Sequence, residues 1–209
     1  MGFLNTFNVI SEWDIAVLDW IASVFGCEFL DHFLPIFTHI ADATVWIVLC
    51  LVLLCIPKTR KGGCYMAVAL LLGVLVCNVI LKPLVARVRP WDYIATVHRE
   101  RFGVRLLVAK LSDYSFPSGH AIASAEGSVA LFFWKKRIGI PAIVVGTVVS
   151  FSRLYLFVHY PTDVIAGLIL GTINAIIAHY LVDRYYDRVE AFVTQKWRAW
   201  RSKRQGKKE

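Results

Sequence analysis

The chain has 209 residues, of which 57% are hydrophobic, and its formal net charge is +8 at pH 7. Soluble domains are about 45–50% apolar, so this composition favours a membrane protein, and we expect no separate soluble domain. At roughly 20 apolar residues per crossing, five or six spans are expected in an all-helical domain, because lipid admits only helices or closed barrels. The five cysteines fall mostly in apolar runs without a CxxC pair, which is typical of small buried side chains rather than of a metal site.

The N-terminal segment is the weakest candidate span. Residues 13–25 are apolar, but Asp14 and Asp19 interrupt them. A short, interrupted run is typical of a helix that lies at the membrane interface, or of a weak sixth crossing. We therefore predict that residues 1–28 form an N-terminal helix of one of these two kinds.

Five longer apolar runs predict five clear transmembrane helices, which together form a membrane core over residues 29–183. The run at 161–182 contains Gly167 and Gly171, a pair of small residues that allows two helices to pack closely. The predicted spans are residues 29–56, 64–81, 117–134, 138–158 and 161–182.

The polar parts of the chain predict its orientation. Lys and Arg residues at 58–61, at 135–137 and in the tail at 184–209 indicate the cytoplasmic side. The loop at 84–115 and the turn at 158–161 then face the outside. Apolar residues recur on one face of the basic tail, which predicts an amphipathic helix on an anionic leaflet and no role in nucleic-acid binding.

The stretch SRLYLFVHYPTD at residues 152–163 places three reactive side chains between two apolar runs. The Arg153 guanidinium can hold a phosphate, and the His159 imidazole can attack phosphorus. Pro161 suits the first turn of a helix, because its missing N–H would have no partner there. We expect His159 just outside this helix and Asp163 just inside it, within reach of each other.

A second cluster, KPLVARVRP, occupies residues 82–90 at the same predicted end of the bundle. Cations near the membrane interior usually have an anionic partner or a function. An anionic substrate would account for Lys82 and Arg89. The alternative is neutralisation by a nearby carboxylate, for which the candidates are Asp92, Asp113 and Asp163.

The third cluster, FPSGH, predicts the start of a helix that binds an anion. Ser118 is a good N-cap, and Gly119 allows a ligand to approach the backbone. The free N–H groups of such a first turn bind phosphate oxygens, and His120 would lie beside them. The alternatives are a simple helix cap for Ser118 and an interfacial histidine for His120.

Together the three clusters resemble the signatures of the type-2 phosphatidic acid phosphatase superfamily. K-x6-RP occurs at residues 82–90, PSGH at 117–120 and SR-x5-H-x3-D at 152–163, in that order. The resemblance covers roughly residues 82–163, and the flanking helices fit the six-helix core of that family.

The resemblance implies a role for each signature residue. His159 would be the nucleophile that forms a phosphohistidine, and Asp163 would orient and polarise it. His120 would protonate the leaving oxygen and then activate water. No metal or other cofactor is implied. The residues implied in phosphate binding are Lys82, Arg89, Ser118, Gly119 and Arg153.

The expected function is an integral-membrane lipid phosphatase of the cytoplasmic membrane, with its site facing the extracytoplasmic side. Size and layout are most similar to enzymes that convert undecaprenyl pyrophosphate to undecaprenyl phosphate. A phosphatidic acid or phosphatidylglycerophosphate phosphatase is the alternative. More distant alternatives are a vanadium haloperoxidase-like enzyme and an anion transporter, although charges that gather at one membrane face disfavour a transport path.

Two polar residues inside the predicted spans lie near these clusters. Glu126 lies about two turns from His120, and an acid within a membrane span is a functional hypothesis by default. We favour a role for Glu126 as the buried partner of another span. Asn78 lies one turn before Lys82 on the same helical face, where it could support that side chain.

Overall fold

The computed structural model describes residues 2–40, 43–97 and 107–205 of the chain. All regular secondary structure in these residues is helical, as the composition predicts. A π-helical segment, Val74–Leu81, joins α4 to α5. The α-helices in chain order are α1 (Gly2–Phe25), α2 (Glu28–Ile40), α3 (Ala43–Cys55), α4 (Arg60–Gly73), α5 (Lys82–Val85), α6 (Pro90–Val97), α7 (Gly119–Trp134), α8 (Lys136–Tyr155) and α9 (Pro161–Gln205).

Helix α7 lies at the centre of the bundle, in contact with α3, α4, α8 and α9. The close packing predicted from the glycine pair of α9 is confirmed. A Cβ atom on Gly167 would lie 2.9 Å from the Ser118 carbonyl oxygen, and one on Gly171 would lie 2.8 Å from the Ala125 Cβ atom. This packing brings the first turns of α7 and α9 together, and the Ser118 N–H donates to the Asp163 carbonyl oxygen at 3.2 Å.

Helix α1 packs behind the turn that carries His159. Ile15 and Leu18 are buried in one cluster with Tyr93 of α6 and with Tyr160. Burying an Ile or Leu side chain contributes about 1.5–3 kcal/mol, so this contact holds α1 against the rest of the fold. Whether α1 lies at the interface or crosses the membrane stays a prediction.

The segment predicted as a loop at 84–115 contains helix α6, so that prediction was wrong over residues 90–97. Pro90 begins the helix and Asp92 lies in its first turn, where the missing N–H and the negative charge are both favourable. Trp91, Tyr93 and Ile94 are buried, so tertiary packing stabilises a helix too short to persist alone.

Three helical stretches among the described residues are long and apolar enough to cross a membrane: Arg60–Val97, Lys136–Tyr155 and Pro161–Lys196. They contain the predicted spans 64–81 and 161–182 and most of 138–158. The other two predicted spans correspond to α2 with α3, and to α7, each helix being shorter than 18 residues. The count of five or six spans therefore stays a prediction.

The basic tail continues α9 without a break, so no helix end marks the predicted boundary at residue 184. Val189, Phe192 and Val193 are each more than half exposed on this extension. The side chains of Trp197 and Trp200 lie outside the described part of the chain. Within the described part of the chain, the tail therefore leaves these apolar side chains exposed, as an amphipathic membrane helix would.

The cysteines follow the prediction of small buried side chains only in part. Cys50 and Cys77 are buried and Cys64 is half-buried, whereas Cys27 and Cys55 are exposed. All five are free thiols.

Candidate active site

A cavity of about 290 Å³ brings the three sequence clusters together. Apolar side chains such as Ile47, Leu70 and Val74 line one part of it. The other part is polar, and its lining residues are Lys82, Arg89, Asp113, Gly119, His120 and His159. The cavity therefore joins a charged end to an apolar end, which suits a lipid with a charged head group.

The turn between α8 and α9 presents His159 at the start of α9. Phe157 has a left-handed backbone, with φ at 54°, and the N–H groups of Val158 and His159 both donate to the Arg153 carbonyl oxygen. Helix α9 then begins at Pro161. The predicted position of His159, just outside the helix, is confirmed.

Asp163 reaches back from the first turn of α9 towards the residues that precede it. Its Oδ2 atom accepts hydrogen bonds from the Tyr160 N–H at 3.1 Å and from the Ser115 hydroxyl at 2.5 Å. The same oxygen lies 3.6 Å from His159 Nδ1. Asp163 is fully buried, so it caps the helix and holds the imidazole at the same time.

The two ring nitrogens of His159 face different partners. Nδ1 lies beside the Asp163 carboxylate, whereas Nε2 lies 3.4 Å from Arg89 Nη1, a permanent donor. These partners assign the proton to Nδ1 and the lone pair to Nε2. Burial lowers the pKa of His159 to about 4, although the Asp163 carboxylate opposes this shift. The ring is therefore neutral at pH 7, with a nucleophilic nitrogen available.

The Asp113 carboxylate forms ion pairs with both Lys82 and Arg89, the two predicted phosphate-binding cations of the KPLVARVRP cluster. Its carboxylate accepts hydrogen bonds from Lys82 Nζ and, at 2.6 Å, from Arg89 Nη2. Arg89 also donates through Nε to the Asp113 carbonyl oxygen at 2.9 Å and through Nη1 to the Val158 carbonyl oxygen at 2.6 Å. Neutralisation by a carboxylate, the alternative considered above, is therefore present in the structure.

The Asp113 carboxylate nevertheless differs from a buried ion-pair partner. Its side chain is 49% exposed, whereas Arg89 is 2% exposed. Partial burial raises the pKa of Asp113, but the hydrogen bonds from Lys82 and Arg89 outweigh that effect and lower the pKa to about 2. One negative charge here faces two positive charges, so the pair of cations keeps a surplus that an anion can use.

The FPSGH stretch forms the start of α7, as predicted. Ser118 is the N-cap, and its side chain accepts from the Ala121 N–H at 3.5 Å. A Cβ atom on Gly119 would meet nothing within 4 Å, so this position opens on the cavity. His120 lines the same cavity as His159. The first turn of α7 therefore offers N–H groups and an imidazole to one ligand.

Two predicted phosphate-binding residues, Ser118 and Arg153, do not line the cavity. Ser118 is the buried N-cap of α7, whereas Arg153 is directed elsewhere. Its side chain is buried in the last turn of α8, and Nη1 donates to Thr38 of α2 at 2.9 Å. Its positive charge still lies close enough to contribute to the low pKa of His159.

Sequence reasoning missed three residues that contact Asp163 or its partners. Ser115 donates to Asp163, and Arg87 donates to Asp163 Oδ1 at 2.7 Å and to Asp14 Oδ2 at 2.6 Å. Two signals were available: Arg87 lies within the KPLVARVRP cluster, and Asp14 is an acid in an apolar run. Asp14 is fully buried on α1, where a charge without a role is costly.

The apolar end of the cavity also contains an acid. Glu126 lines the cavity, and Asn174 of α9 donates to its Oε1 atom at 2.7 Å, which confirms the prediction of a buried partner on another span. A Cβ atom on Gly73 would lie 2.3 Å from Glu126 Oε1, so a larger residue there would force this carboxyl group to move. Asn78 lines the cavity, but Lys82 donates to Asp113 rather than to Asn78.

Among the described residues, no group of three or more His, Cys, Asp or Glu side chains is placed to hold a metal ion.

Comparison with known proteins gives relatives of a single family. A sequence profile of the PAP2 superfamily matches residues 62–187, which include all three clusters. An undecaprenyl-diphosphatase of Sulfolobus acidocaldarius is 36% identical over 129 residues, which cover 61% of this chain and 59% of the relative. Undecaprenyl-diphosphatase BcrC of Bacillus subtilis is 32% identical over 137 residues, covering 65% and 64%. The chain thus matches less than two thirds of the length of either relative.

The fold has a counterpart among solved structures. A transmembrane PAP2-type phosphatidylglycerolphosphate phosphatase from Bacillus subtilis superposes with a TM-score of 0.66 at 23% identity. The superposition covers 88% of this chain and 95% of that protein, so most of both folds is shared. With the profile match spanning more than half of its length, this chain belongs to the PAP2 superfamily.

Proposed function

We propose that the protein is an integral-membrane lipid phosphatase that removes a phosphate from a lipid pyrophosphate or monophosphate through a covalent intermediate on His159. The observation that carries this proposal is the arrangement of His159, with Nδ1 beside Asp163 and Nε2 beside Arg89 in a cavity. A neutral imidazole with one nitrogen held by a carboxylate is an activated nucleophile. The names of the relatives support a phosphatase of this class.

In the first step, the Nε2 lone pair attacks phosphorus, and the bond from phosphorus to the leaving oxygen breaks. His120 gives its proton to that oxygen, so the lipid product leaves without an uncompensated charge. The proton on Nδ1 stays in place, and the Asp163 carboxylate stabilises the positive charge that the ring gains.

In the second step, water attacks the phosphorus of the phosphohistidine. His120, now neutral, takes a proton from the water, and the P–N bond breaks to return its electron pair to His159 Nε2. Inorganic phosphate leaves, and both histidines are restored to their starting states. Each step needs an imidazole that lines the same cavity, which His120 and His159 do.

The phosphate oxygens would be held mainly by charge and by backbone donors. Lys82 and Arg89 supply two cations, and the first turn of α7, from Gly119 onward, supplies backbone N–H groups. The Ser118 N–H donates to the Asp163 carbonyl oxygen, so Ser118 contributes as the N-cap of this turn. Arg153 contributes its positive charge from outside the cavity lining in this proposal. Phosphoryl transfer depends largely on such positioning and charge stabilisation, so these groups suffice in kind for the reaction.

The substrate we favour is undecaprenyl pyrophosphate. Two relatives that match this chain over more than 120 residues carry the name undecaprenyl-diphosphatase. The apolar part of the cavity suits a hydrocarbon chain next to the charged head group. A phosphatidylglycerophosphate phosphatase is the second candidate, because phosphatidylglycerophosphatase B of Bacillus subtilis is 32% identical to this chain over 126 residues.

The membrane arrangement we propose follows the distribution of charge. The polar end of the cavity faces the extracytoplasmic side, and the basic extension of α9 lies on the anionic cytoplasmic leaflet. In this arrangement residues 1–28 form a helix beside a core at 29–183, and residues 184–209 form the tail.

A substrate panel tests the proposal. Purified protein in one detergent is given undecaprenyl pyrophosphate, phosphatidylglycerophosphate and phosphatidic acid, and phosphate release is measured. We expect release from all three to depend on His159, with the highest kcat/KM for undecaprenyl pyrophosphate. His159→Ala is the matched control. Release that is equal in this variant, or absent from every lipid, would overturn the proposal.

A further inference from the structure

A buried guanidinium connects the active site to the N-terminal helix. Arg87 donates through Nη1 to Asp163 Oδ1 at 2.7 Å and through Nη2 to Asp14 Oδ2 at 2.6 Å. Both carboxylates are fully buried, and the Arg87 side chain is 5% exposed. Asp163 thus touches His159 with one oxygen and Arg87 with the other.

The guanidinium is fixed from several directions. It lies over the Tyr160 ring, 3.7 Å from the ring centroid, and donates to the Thr162 hydroxyl at 2.7 Å. Asp14 in turn accepts from the Thr162 N–H at 3.1 Å and from its hydroxyl at 2.6 Å. Helix α1 therefore binds the first turn of α9, which is the turn that carries Asp163.

The charges of this group do not cancel. One guanidinium faces two carboxylates, so a surplus negative charge lies behind His159. The cations nearest the ring, Arg89 and Arg153, act in the opposite sense. A negative surplus on the Asp163 side favours the positive charge that the ring gains when Nε2 bonds to phosphorus.

We propose that Arg87 and Asp14 are positioning residues of the reaction: Arg87 fixes the free oxygen of Asp163, and Asp14 prevents the guanidinium from neutralising that carboxylate completely. Neither residue lines the cavity, so both act through Asp163 on His159. The inference rests on the proposed function. It gives α1 a role in positioning the nucleophile, whether this helix lies at the interface or crosses the membrane.

We expect substitutions of Asp14 and Arg87 to lower kcat without changing the affinity for phosphate. Substitution of Asp14 or Arg87 should leave Lys82, Arg89 and the α7 N-terminus in place. The KM and the inhibition constant of inorganic phosphate should therefore stay unchanged. The kcat should fall, because the imidazole loses its orientation and the support for its charge. A general loosening of the site would change both quantities.

The experiment compares Asp14→Asn and Arg87→Lys with Glu12→Gln in the full chain. Glu12 also ties α1 to α6, by accepting from the Tyr93 hydroxyl at 2.8 Å, but it does not contact Arg87. We expect kcat to fall at least 10-fold in the first two variants, with KM and the phosphate inhibition constant within about 2-fold. Glu12→Gln should keep wild-type kcat.

A second comparison keeps the inference falsifiable if one variant folds poorly. Arg87→Met removes the guanidinium through which Asp14 is proposed to act on Asp163. Adding Asp14→Asn to this variant should therefore cause no further loss of kcat. If the kcat losses of the two single variants multiply in the double variant, Asp14 does not act through Arg87 and the inference is overturned. A wild-type kcat in Asp14→Asn, or an equal loss in Glu12→Gln, would also overturn it. A wild-type protein inactive on every lipid would instead overturn the proposed function and the inference together.

Discussion

Two carboxylates flank the cavity, and each pairs with an arginine, yet their surroundings differ. Asp163 is fully buried and accepts hydrogen bonds from Arg87, Ser115 and the Tyr160 N–H. Asp113 is half exposed and accepts from Lys82 and Arg89. One carboxylate lies behind the nucleophile, whereas the other lies where a phosphate would have to bind.

The difference separates a permanent interaction from one that a ligand can replace. Breaking a buried ion pair by removing one partner typically costs about 3–5 kcal/mol, because the other charge stays buried without compensation. Asp113, by contrast, is half exposed, so water screens its ion pairs and can replace its hydrogen bonds when it moves. We therefore expect Asp163 to stay in place through the reaction and Asp113 to give way to the phosphate.

The strongest test of the buried side is Asp163→Asn. The amide cannot support the charge that the imidazole gains, and it no longer selects the proton on Nδ1. We expect kcat to fall by roughly 10³- to 10⁴-fold, as when the orienting carboxylate of a catalytic triad is replaced. Steady-state kinetics on the best lipid of the panel measures this loss.

The matched control is Asp183→Asn, the same change farther along α9. Asp183 is 43% exposed and pairs with Lys61 near the middle of the helix, about five turns beyond Asp163. It should keep kcat within about 2-fold of wild type. If both variants lose activity equally, or if Asp163→Asn keeps it, then Asp163 does not orient the nucleophile.

His120→Ala tests whether the second imidazole supplies the proton to the leaving group. General acid catalysis contributes about 10²- to 10⁴-fold, and it matters most when the leaving oxygen is strongly basic. We expect a loss in this range for a lipid alcohol, and a much smaller loss of phosphoenzyme formation for a nitrophenyl phosphate. Rapid-quench measurements on both substrates provide the comparison. Equal losses on the two would assign His120 to another role.

His159 and Asp113 should also change the stability of the folded protein in different pH ranges. Burial holds the pKa of His159 at about 4 in the folded protein, against 6.5 for an unperturbed histidine. Between these values the unfolded chain binds a proton that the folded protein does not, so stability falls as pH falls from 6.5 to 4. The expected loss is on the order of 3 kcal/mol.

Asp113 should not change the stability of the folded protein between pH 6.5 and 4. Its pKa is about 2 in the folded protein, against 3.8 for an unperturbed aspartate, so its contribution to stability is lost only as the pH falls below 3.8. Unfolding in detergent at pH 7.5, 6 and 5 measures the effect, with His159→Gln as the control that should lack it. A wild-type protein whose stability is constant from pH 7.5 to 5 would contradict a buried neutral imidazole.

The smallest effect is expected for Asp113→Asn. Removing the half-exposed carboxylate leaves Lys82 and Arg89 to the phosphate, so the inhibition constant of inorganic phosphate should decrease, by roughly 3- to 10-fold. The kcat should stay within about 3-fold of wild type. Weaker binding of phosphate in this variant would mean that Asp113 organises the two cations instead of competing for them.

The parts of the site that obey local rules were predictable from the sequence. Pro161 begins α9 and Ser118 caps α7, because each residue type suits that position of a helix. The distance of four residues between His159 and Asp163 then brings their side chains together. The glycine pair of α9 likewise predicted its close contact with α7.

The parts that depend on distant packing were not predictable in this way. Asp14 and Arg87 are 73 residues apart, and no spacing rule pairs them. Tyr93 and Ile94 of the short helix α6 are buried in one cluster with Ile15 and Leu18 of α1, a contact between distant parts of the chain that supports this helix. Arg153 carries the right charge next to His159, but its side chain contacts α2 instead of lining the cavity. Sequence patterns place such residues on an element, whereas tertiary contacts decide what each side chain meets.

The central claim is that His159 becomes covalently phosphorylated. Wild-type protein mixed with lipid substrate labelled in the terminal phosphate, and denatured within milliseconds, should carry label that is stable in base and labile in acid. Peptide mapping should locate the label on His159, and His159→Ala should carry none. Turnover at the wild-type rate without a labelled intermediate, or label on any other residue, would contradict the account.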